Sequence, residues 1–292
     1  MSGVLYIVAT PIGNLDDISR RAIATLKAAD TIAAEDTRHS KRLLGHLGIR
    51  SRLVSCHEHN EQGRSTDLLR RLQAGEDVAL ISDAGTPLIS DPGYRLVQAA
   101  REAGIRVSPI PGASSALAAL SAAGLPTDSF YFRGFLPHKS SERLNQLQNL
   151  REIDSTLLLF ESSHRIAATL AQIAEVFPQN PCVIAKEMTK LHERFLHGTA
   201  AELRARIEAD RDLQKGEFVV LIDNASAREQ RRPAGEEVEL MRVLLGNVSV
   251  KLAVKIAAQL TGKKKNHLYR LALELQGDAD SKPGGRECPT TN

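Results

Sequence analysis

The sequence predicts two α/β domains in tandem followed by a small helical domain, and three observations predict it. Strand-length apolar runs alternate with amphipathic helical stretches as far as residue 223, and before Gly124 the regular alternation is the pattern of helices laid over a mainly parallel, doubly wound sheet. Gly124-Leu125-Pro126-Thr127-Asp128 interrupts that alternation once, dividing it into two sets. Beyond residue 237 the strand patterns stop and only helical spacing remains. The divisions are residues 1–124, 125–223, a linker at 224–237, a basic helical domain at 238–276 and a disordered tail at 277–292.

Taken in order, Val4 to Thr10 reads as the first strand and ends in Pro11-Ile12-Gly13-Asn14-Leu15, after which Ser19 caps a helix carrying Ala22, Ile23 and Leu26. Thr31 to Ala34 is a second strand, and Glu35-Asp36-Thr37-Arg38-His39-Ser40-Lys41-Arg42 places charge at its end before a helix with Leu43, Leu44 and Leu47. Leu53 to Ser55 leads into Cys56-His57-Glu58-His59-Asn60, then a helix through Leu68, Leu69 and Leu72. Val78 to Ser82 is apolar and β-forming, as a strand buried on both faces should be. The loop that follows, Asp83 to Gly93, exceeds the usual two to about six residues of a strand-to-helix connection. A long loop at the carboxyl end of a strand is where an open α/β sheet binds ligands; the plainer alternative is a Pro/Gly-rich crossover. Arg106 to Ile110 gives a fifth strand, and Pro111-Gly112-Ala113-Ser114-Ser115 opens a helix whose N–H groups suit a carboxylate or hydroxyl.

The second set has strands at Phe130 to Phe132, Thr156 to Phe160, Cys182 to Lys186, Arg194 to His197 and Glu217 to Ile222. Its helices lie near Glu142 to Leu150, Arg165 to Phe177 and Ala200 to Ala209, and Thr199 with Glu202 forms a capping box for the last. The two sets read as similar halves with a ligand cleft between them. In the helical end, Leu240, Met241, Leu244 and Leu245 make one stripe, Leu252, Ile256 and Leu260 a second, and Leu268, Leu271, Ala272 and Leu275 a third. Gly262 makes the short turn of a helix-turn-helix. From Ser249 to Gln276, Lys251, Lys255, Lys263, Lys264, Lys265 and Arg270 face a single acid, Glu274. That imbalance suits a phosphate backbone, with a solvated appendage or dimerisation arm as the plainer reading.

Composition narrows the function classes. With no Trp, four Tyr and seven Phe, base-stacking RNA platforms are disfavoured while shape and phosphate recognition stay open. A net charge of +3 says less than the clustering of that charge. Cys56, Cys182 and Cys288 are widely spaced and unpaired by motif, which fits a reducing compartment. The start, MSGVLYIVATPIG, lacks a basic n-region and no apolar run approaches membrane-spanning length, so the expected location is the cytoplasm with no membrane partner. Neither GxGxxG after the first strand, GxxxxGK[ST], GxSxG nor HExxH occurs, which removes the usual dinucleotide, P-loop and hydrolase signatures. Cys56, His57 and His59 lack a second cluster to complete a zinc site. Glu35, Asp36, Asp83 and Asp91 would need substrate phosphates to hold Mg²⁺. No metal is expected. Glu161-Ser162-Ser163-His164-Arg165 ends the Thr156 to Phe160 strand and faces the cleft, either as a site element or as a helix cap followed by a surface Arg.

Six segments together, LYIVATPIGNLDDIS, AEDTRHS, SCHEHN, LISDAGTPLISDPG, PIPGASSALAAL and FRGFLP, resemble the tetrapyrrole methylase family in its branch that methylates small-subunit ribosomal RNA. The resemblance spans Val4 to Ile222 and extends less sharply into the basic end. It implies two α/β domains with S-adenosylmethionine (SAM) folded in the cleft between them, a homodimer, and methylation of the ribose 2'-oxygen of a decoding-centre cytidine in 16S rRNA of the assembled 30S subunit. Carried over by motif, it assigns the cofactor to Pro11, Ile12, Gly13, Asp83, Ala84, Gly85, Thr86, Ser114 and Ser115. Thr10-Pro11-Ile12-Gly13 and Ser82-Asp83-Ala84 depart from the Gly-Pro-Gly and Gly-Asp-Pro of many porphyrin-type members, which argues against a tetrapyrrole acceptor.

A 2'-hydroxyl is a poor acid, so a base within hydrogen-bond reach should take its proton as the C–O bond forms. Glu35, Asp36 and His57 are the candidates, with Arg38 positioning phosphate or ribose. The expected RNA contacts are Arg38, Arg42, Arg165, Lys251, Lys255, Lys263, Lys264, Lys265 and Arg270. Two other classes compete: a SAM-dependent methylase of a tetrapyrrole or other small molecule, and a ribosome-assembly factor using SAM only structurally.

Overall fold

The computed structural model describes residues 2–57, 60–225, 236–263 and 265–280, without the side chains of 236–237 and 276–280. His59, Lys264 and most of the expected linker and tail lie outside the described residues. The chain divides into a larger unit, residues 1–227, and a smaller one, residues 228–292.

The first sheet holds β1 (Val4–Val8), β2 (Thr31–Ala34), β3 (Arg52–Ser55), β4 (Val78–Ile81) and β5 (Arg106–Ile110) in the order β3-β2-β4-β1-β5. Every pairing is parallel. All five carboxyl ends therefore open on one edge, as the strand patterns predict. Helices α1 (Arg20–Ala28) and α2 (Thr37–His46) cover one face through Ala22, Leu26 and Leu44, packed with Val8, Ile32 and Ile81. Helices α3 (Glu61–Gln73) and α4 (Tyr94–Glu102) cover the other through Leu68, Leu72, Leu96 and Ala100, packed with Leu5, Ala33 and Leu80. Ser19 caps α1 by accepting from the Ala22 N–H at 3.0 Å.

The second sheet corrects the expectation of similar halves. It contains β6 (Phe130–Phe135), β7 (Thr156–Ser162), β8 (Cys182–Lys186), β9 (Arg194–Gly198) and β10 (Glu217–Asp223) in the order β6-β7-β10-β8-β9. Only β6 and β7 run parallel; the other three pairings are antiparallel. For β8 and β9 the reason is connection length. Residues 187–193 are all that separate β8 from β9, whereas a parallel crossover takes about a dozen or more. One face carries α6 (Ser140–Leu150), α7 (Ile166–Val176) and α8 (Ala200–Ala209), with Leu147, Leu170, Ile173, Phe177 and Leu203 in a single core. The other face is covered by α5 (Ser115–Ala122), which leaves β5 of the first sheet and packs Ala116, Ala119 and Leu120 against Leu158, Val183, Val219 and Leu221. The predicted Thr199/Glu202 capping box heads α8. Asn224, read as the start of a linker, is instead buried and donates to the carbonyls of Arg151 and Ile153 at 3.1 and 2.6 Å.

The smaller unit holds α9 (Glu236–Leu245), α10 (Val250–Thr261) and α11 (Lys265–Asp280). Its core is Met241, Ala253, Val254, Ala257, Leu268 and Ala272. The outer stripes fall as predicted, but the middle one does not: Leu252 and Leu260 are exposed, and α10 turns its smaller residues inward so that three short helices pack closely. Gly262 closes α10 in the left-handed conformation at φ 69°, which a glycine adopts without steric cost.

Gly93 heads α4 at φ 123°, and a Cβ there would lie 2.6 Å from Leu80 Cδ2. Gly93→Ala should therefore cost about 1–3 kcal/mol and lower the urea midpoint with little change in slope; a midpoint like wild type would show that this turn is not under constraint.

Candidate active site at the strand ends

The loops at the carboxyl ends of the first sheet are tied together by hydrogen bonds. Thr10 N–H donates to the Gly85 carbonyl at 2.8 Å and Gly85 N–H returns to the Thr10 carbonyl at 3.1 Å, joining the loops after β1 and β4. Thr86 Oγ1 donates to the Ala113 carbonyl at 3.0 Å, joining the loops after β4 and β5. Asp83 Oδ1 accepts from the Asp36 N–H at 3.0 Å, bringing in the loop after β2. Gly85 sits at φ 80°, and a Cβ there would stand 3.3 Å from Ile12 Cγ2. A side chain at this position would be strained and would crowd the same wall.

These loops face the second sheet across a cavity of about 420 Å³, within the range of small-molecule sites. From the first sheet come Ile12, Glu35, Asp83, Ala84, Gly85, Thr86 and Asp91, and Ser114 and Ser115 come from the start of α5. The opposite wall includes Phe135, Phe160, Ser162, Met188 and Phe218. Phe160 meets Phe132 and Phe135 edge to face, at ring-centre distances of 4.9 and 5.5 Å, a favoured aromatic geometry. A second cavity, of about 490 Å³, adjoins the first and shares Ile12, Asp83, Ala84 and Glu217 with it. Pro11 and Gly13 line this second space rather than the main cleft.

Charge inside the cleft is acidic. Burial, reinforced by Asp91, Asp83 and Asp36, pushes the Glu35 carboxyl up to about 7. Burial also pushes Asp91 up to about 6, opposed by a hydrogen bond from Ser82 and aided by Asp83. Asp36 goes the other way: hydrogen bonds from the Arg38 side chain and backbone hold it down at about 2. Asp36 is the N-cap of α2, accepting from the Arg38 N–H at 2.8 Å, and it pairs with the Arg38 guanidinium at 3.1 Å.

Of the expected catalytic residues, only Glu35 therefore lines the cleft. Asp36 caps a helix and Arg38 extends into solvent. His57 lies at the end of edge strand β3, where its N–H donates to Asn60 Oδ1 at 2.8 Å and its ring Nε2 is 3.1 Å from Asn60 Nδ2. Sequence reasoning underuses Asp91, Phe135 and Phe160. The FRGFLP segment is the available signal for Phe135, while pairing across the sheets is a tertiary fact. Among the described residues no group of three or more His, Cys, Asp and Glu side chains is arranged to hold a metal ion.

Residues 4–204 match the family model for Tetrapyrrole (Corrin/Porphyrin) Methylases. The chain belongs to this family. A second model, the RsmI C-terminal HTH domain, matches residues 233–276. Among relatives of this tetrapyrrole methylase, the Ribosomal RNA small subunit methyltransferase I of Pseudomonas aeruginosa is 48% identical over 94% of this chain and 99% of its own. The protein of that name from Escherichia coli O157:H7 is 48% identical over 94% and 96%. Solved structures share the fold at lower identity. A diphthine synthase superposes with a TM-score of 0.60 at 19% identity, covering 75% of this chain and 89% of its own. Uroporphyrin-III C-methyltransferase from Thermus thermophilus, complexed with S-adenyl homocysteine, gives 0.53 at 19%, covering 77% and 100%.

In this tetrapyrrole methylase Glu161 and Arg165 are turned inward, while His164 between them is exposed. Glu161 is 3% exposed and accepts from Thr169 Oγ1 at 2.6 Å and from the Ser162 N–H at 2.8 Å. Arg165 Nε stands 3.3 Å from the same carboxylate without hydrogen-bond alignment, and its Nη2 donates to the Leu136 and Pro137 carbonyls at 2.8 and 3.1 Å. That guanidinium fastens the end of β6 to the start of α7. Glu161→Ala would leave a half-buried cation without its carboxylate, a loss of about 3 kcal/mol for a buried pair. Thermal unfolding should register it as a lower Tm, whereas an unchanged Tm would mean that the network is not structural.

Proposed function

We propose that this protein transfers a methyl group from SAM to the ribose 2'-oxygen of a cytidine in 16S rRNA, acting in the cytoplasm on the assembled 30S subunit. The observation that carries the chemistry is a carboxylate poised near neutrality, Glu35, in a cleft walled by both sheets. The acceptor class rests on relatives at 48% identity that bear the name of a ribosomal RNA methyltransferase.

The residues present fit the cofactor. Ser114 heads α5 without a side-chain cap bond, which leaves its hydroxyl for a ligand. Gly85 lets a ligand lie close to backbone. Glu35, Asp83 and Asp91 give the wall the negative potential that a sulfonium or an ammonium favours. When bound, SAM supplies an electrophilic methyl group on a positively charged sulfur. Ile12, Ala84, Gly85 and Thr86 would hold it from the first sheet, and Phe135 and Phe160 would keep water from the opposite side. Attack consumes positive charge, so the demand on the protein is to orient the hydroxyl and take its proton. Glu35 is the base in this reading, and Asp36, already bonded by Arg38, is a cap. Arg165 serves as a clamp.

The exposed cations Lys251, Lys255, Lys265 and Arg270 of the smaller unit suit RNA phosphates. A homodimer completes the reading: β6 is an edge strand with Phe130, Tyr131 and Phe135 exposed, a surface that chain pairing would cover. Among the described residues no helix is long and apolar enough to cross a membrane.

The deciding experiment incubates the protein with radiolabelled SAM and 30S subunits from cells lacking its gene, followed by nucleoside analysis. Label in 2'-O-methylcytidine is the expected result; unlabelled subunits beside tight SAM binding would move a small-molecule acceptor to the front. Glu35→Gln should lower kcat by about 10²–10⁴, the usual worth of a general base. In the wild type kcat should fall as pH drops through about 7, where Glu35 takes up its proton. The same variant should stabilise the fold. Because the folded pKa lies above the unfolded one, ionised Glu35 opposes folding; the penalty is absent below the unfolded pKa near 4.5 and complete above about 7. Discounted for solvent screening it amounts to roughly 1 kcal/mol, so Glu35→Gln should melt a few degrees higher than wild type at pH 8 and alike at pH 4. Lower activity without that pH-dependent gain would argue that Glu35 is not held in the cleft. Lys263→Ala with Lys265→Ala should reduce the salt slope of 30S binding by about one for each phosphate that the variant no longer neutralises.

A further inference from the structure

The second cavity has a basic rim of one arginine and two histidines on α2. His39, Arg42 and His46 line it from α2, at the i, i+3 and i+7 positions that share one helix face. All three are exposed, and no carboxylate lies within ion-pair distance of any of them among the described residues. Lys190, on the far rim, is by contrast bridged to Glu187 and Glu217 at 3.0 Å each. The unpaired positive charge of the rim is therefore Arg42, on α2. The floor is apolar, formed by Pro11, Leu15 and Leu43. At about 490 Å³ the space is of the size that small ligands occupy, and its partition with the main cleft is Ile12, Asp83 and Ala84. An unpaired guanidinium flanked by two imidazoles, whose ring N–H groups can donate, over an apolar floor suits a nucleotide better than a neutral metabolite: phosphates bind the rim and sugar and base cover the floor.

We propose that this cavity receives the acceptor nucleotide, with His39, Arg42 and His46 holding the phosphates that flank its ribose while the ribose lies against the partition shared with the main cleft. The inference rests on the RNA methyltransferase reading above. It adds an entry route: RNA approaches from the α2 side, and the 2'-hydroxyl reaches past Ile12, Asp83 and Ala84 into the main cleft, where Glu35 lies. It also explains why the charged segment after β2 runs straight into a helix with its basic face outward, while Asp36, at the cap, is kept for α2 itself.

The test uses the full-length protein with purified 30S subunits as substrate. Arg42→Ala and the triple variant His39→Ala/Arg42→Ala/His46→Ala are compared with Arg101→Ala, which removes a surface cation from α4 on the opposite face of the first sheet. These α2 side chains are exposed, and a Tm equal to wild type confirms folding. The expected result is a KM for 30S raised roughly tenfold or more in the triple variant, with SAM affinity by calorimetry unchanged and the salt slope of 30S binding reduced by about one for Arg42 alone. Arg101→Ala should change none of these. An unchanged KM and salt slope in the triple variant, with the wild type active, overturns the subsite and leaves the proposed function standing. Loss of SAM affinity also overturns it, because the cavity would then belong to the donor. An inactive wild type is the separate failure of the proposed function itself.

Discussion

The packing of α5 against the second sheet is the constraint on which the rest depends. This helix leaves β5 of the first sheet and buries Ala116, Ala119, Leu120 and Ala123 among Leu158, Val183, Ala185, Val219 and Leu221. Its buried face is mostly alanine, so helix and sheet approach closely, and burial of the facing leucines and valines contributes at about 25 cal/mol per Å² of apolar surface. Because α5 is anchored at both ends of this path, Ser114 and Ser115 are fixed at the bottom of the cleft. The cleft is thus a product of interdomain packing. Loosening α5 would change its width and uncover Leu158, Val183, Val219 and Leu221 of the second sheet together.

Backbone strain gathers around the same space. Among the described residues, the non-glycine positions with positive φ are Leu88, Ser90, Glu187 and Thr189. The first two lie in the long loop after β4 and the last two in the short connection from β8 to β9. Ser90 and Met188 of these loops line the main cavity. Such conformations cost of order 1–3 kcal/mol each and persist where surrounding structure enforces them. Enforcement is visible here: Glu187 Oε1 accepts from the Glu217 N–H at 3.0 Å, and Glu193 Oε2 accepts from the Thr189 N–H at 2.6 Å. Strain on both walls holds the cleft to one width, which suits a transfer that depends on in-line placement.

Much of this is legible in the chain. Apolar runs such as Val78 to Ile81 announce a strand buried on both faces because their composition leaves no solvent face, and the long loop after it announces a ligand site by length alone. Thr199 and Glu202 disclose a cap because capping is local. The misreadings are equally physical. The second set reads as similar to the first because strand patterns carry no direction; only the short connection at 187–193 reveals the β8–β9 hairpin. Leu252 and Leu260 read as core because they are large, but α10 packs by fit and turns Ala253 and Ala257 inward. Asn224 reads as linker because it is polar, although its amide serves backbone carbonyls that would otherwise be buried without partners. In the site, Glu35, Asp36 and His57 cannot be ranked from sequence. Their environments separate them: Glu35 is half-buried among acids, Asp36 is spent on a cap and an arginine, and His57 is tied to its own turn.

Glu35 and Asp36 are adjacent in sequence and opposite in behaviour, and strand geometry is the cause. A strand alternates the direction of successive side chains, and β2 ends at Ala34, so the first residue beyond it turns into the space at the strand ends and the next turns back to start α2. One carboxylate meets Asp83 and Asp91 with little water and rises to about 7, while the other meets the N-terminus of a helix and an arginine and falls to about 2. A two-residue charged step at the end of a parallel strand thus sends one carboxylate into the cleft and the other to a helix cap. The helix that the cap begins carries His39, Arg42 and His46 beside the same cleft. A fold of this kind fixes where transfer occurs and not what it acts on, so the acceptor is read from the side chains that line the site and not from the sheets behind it.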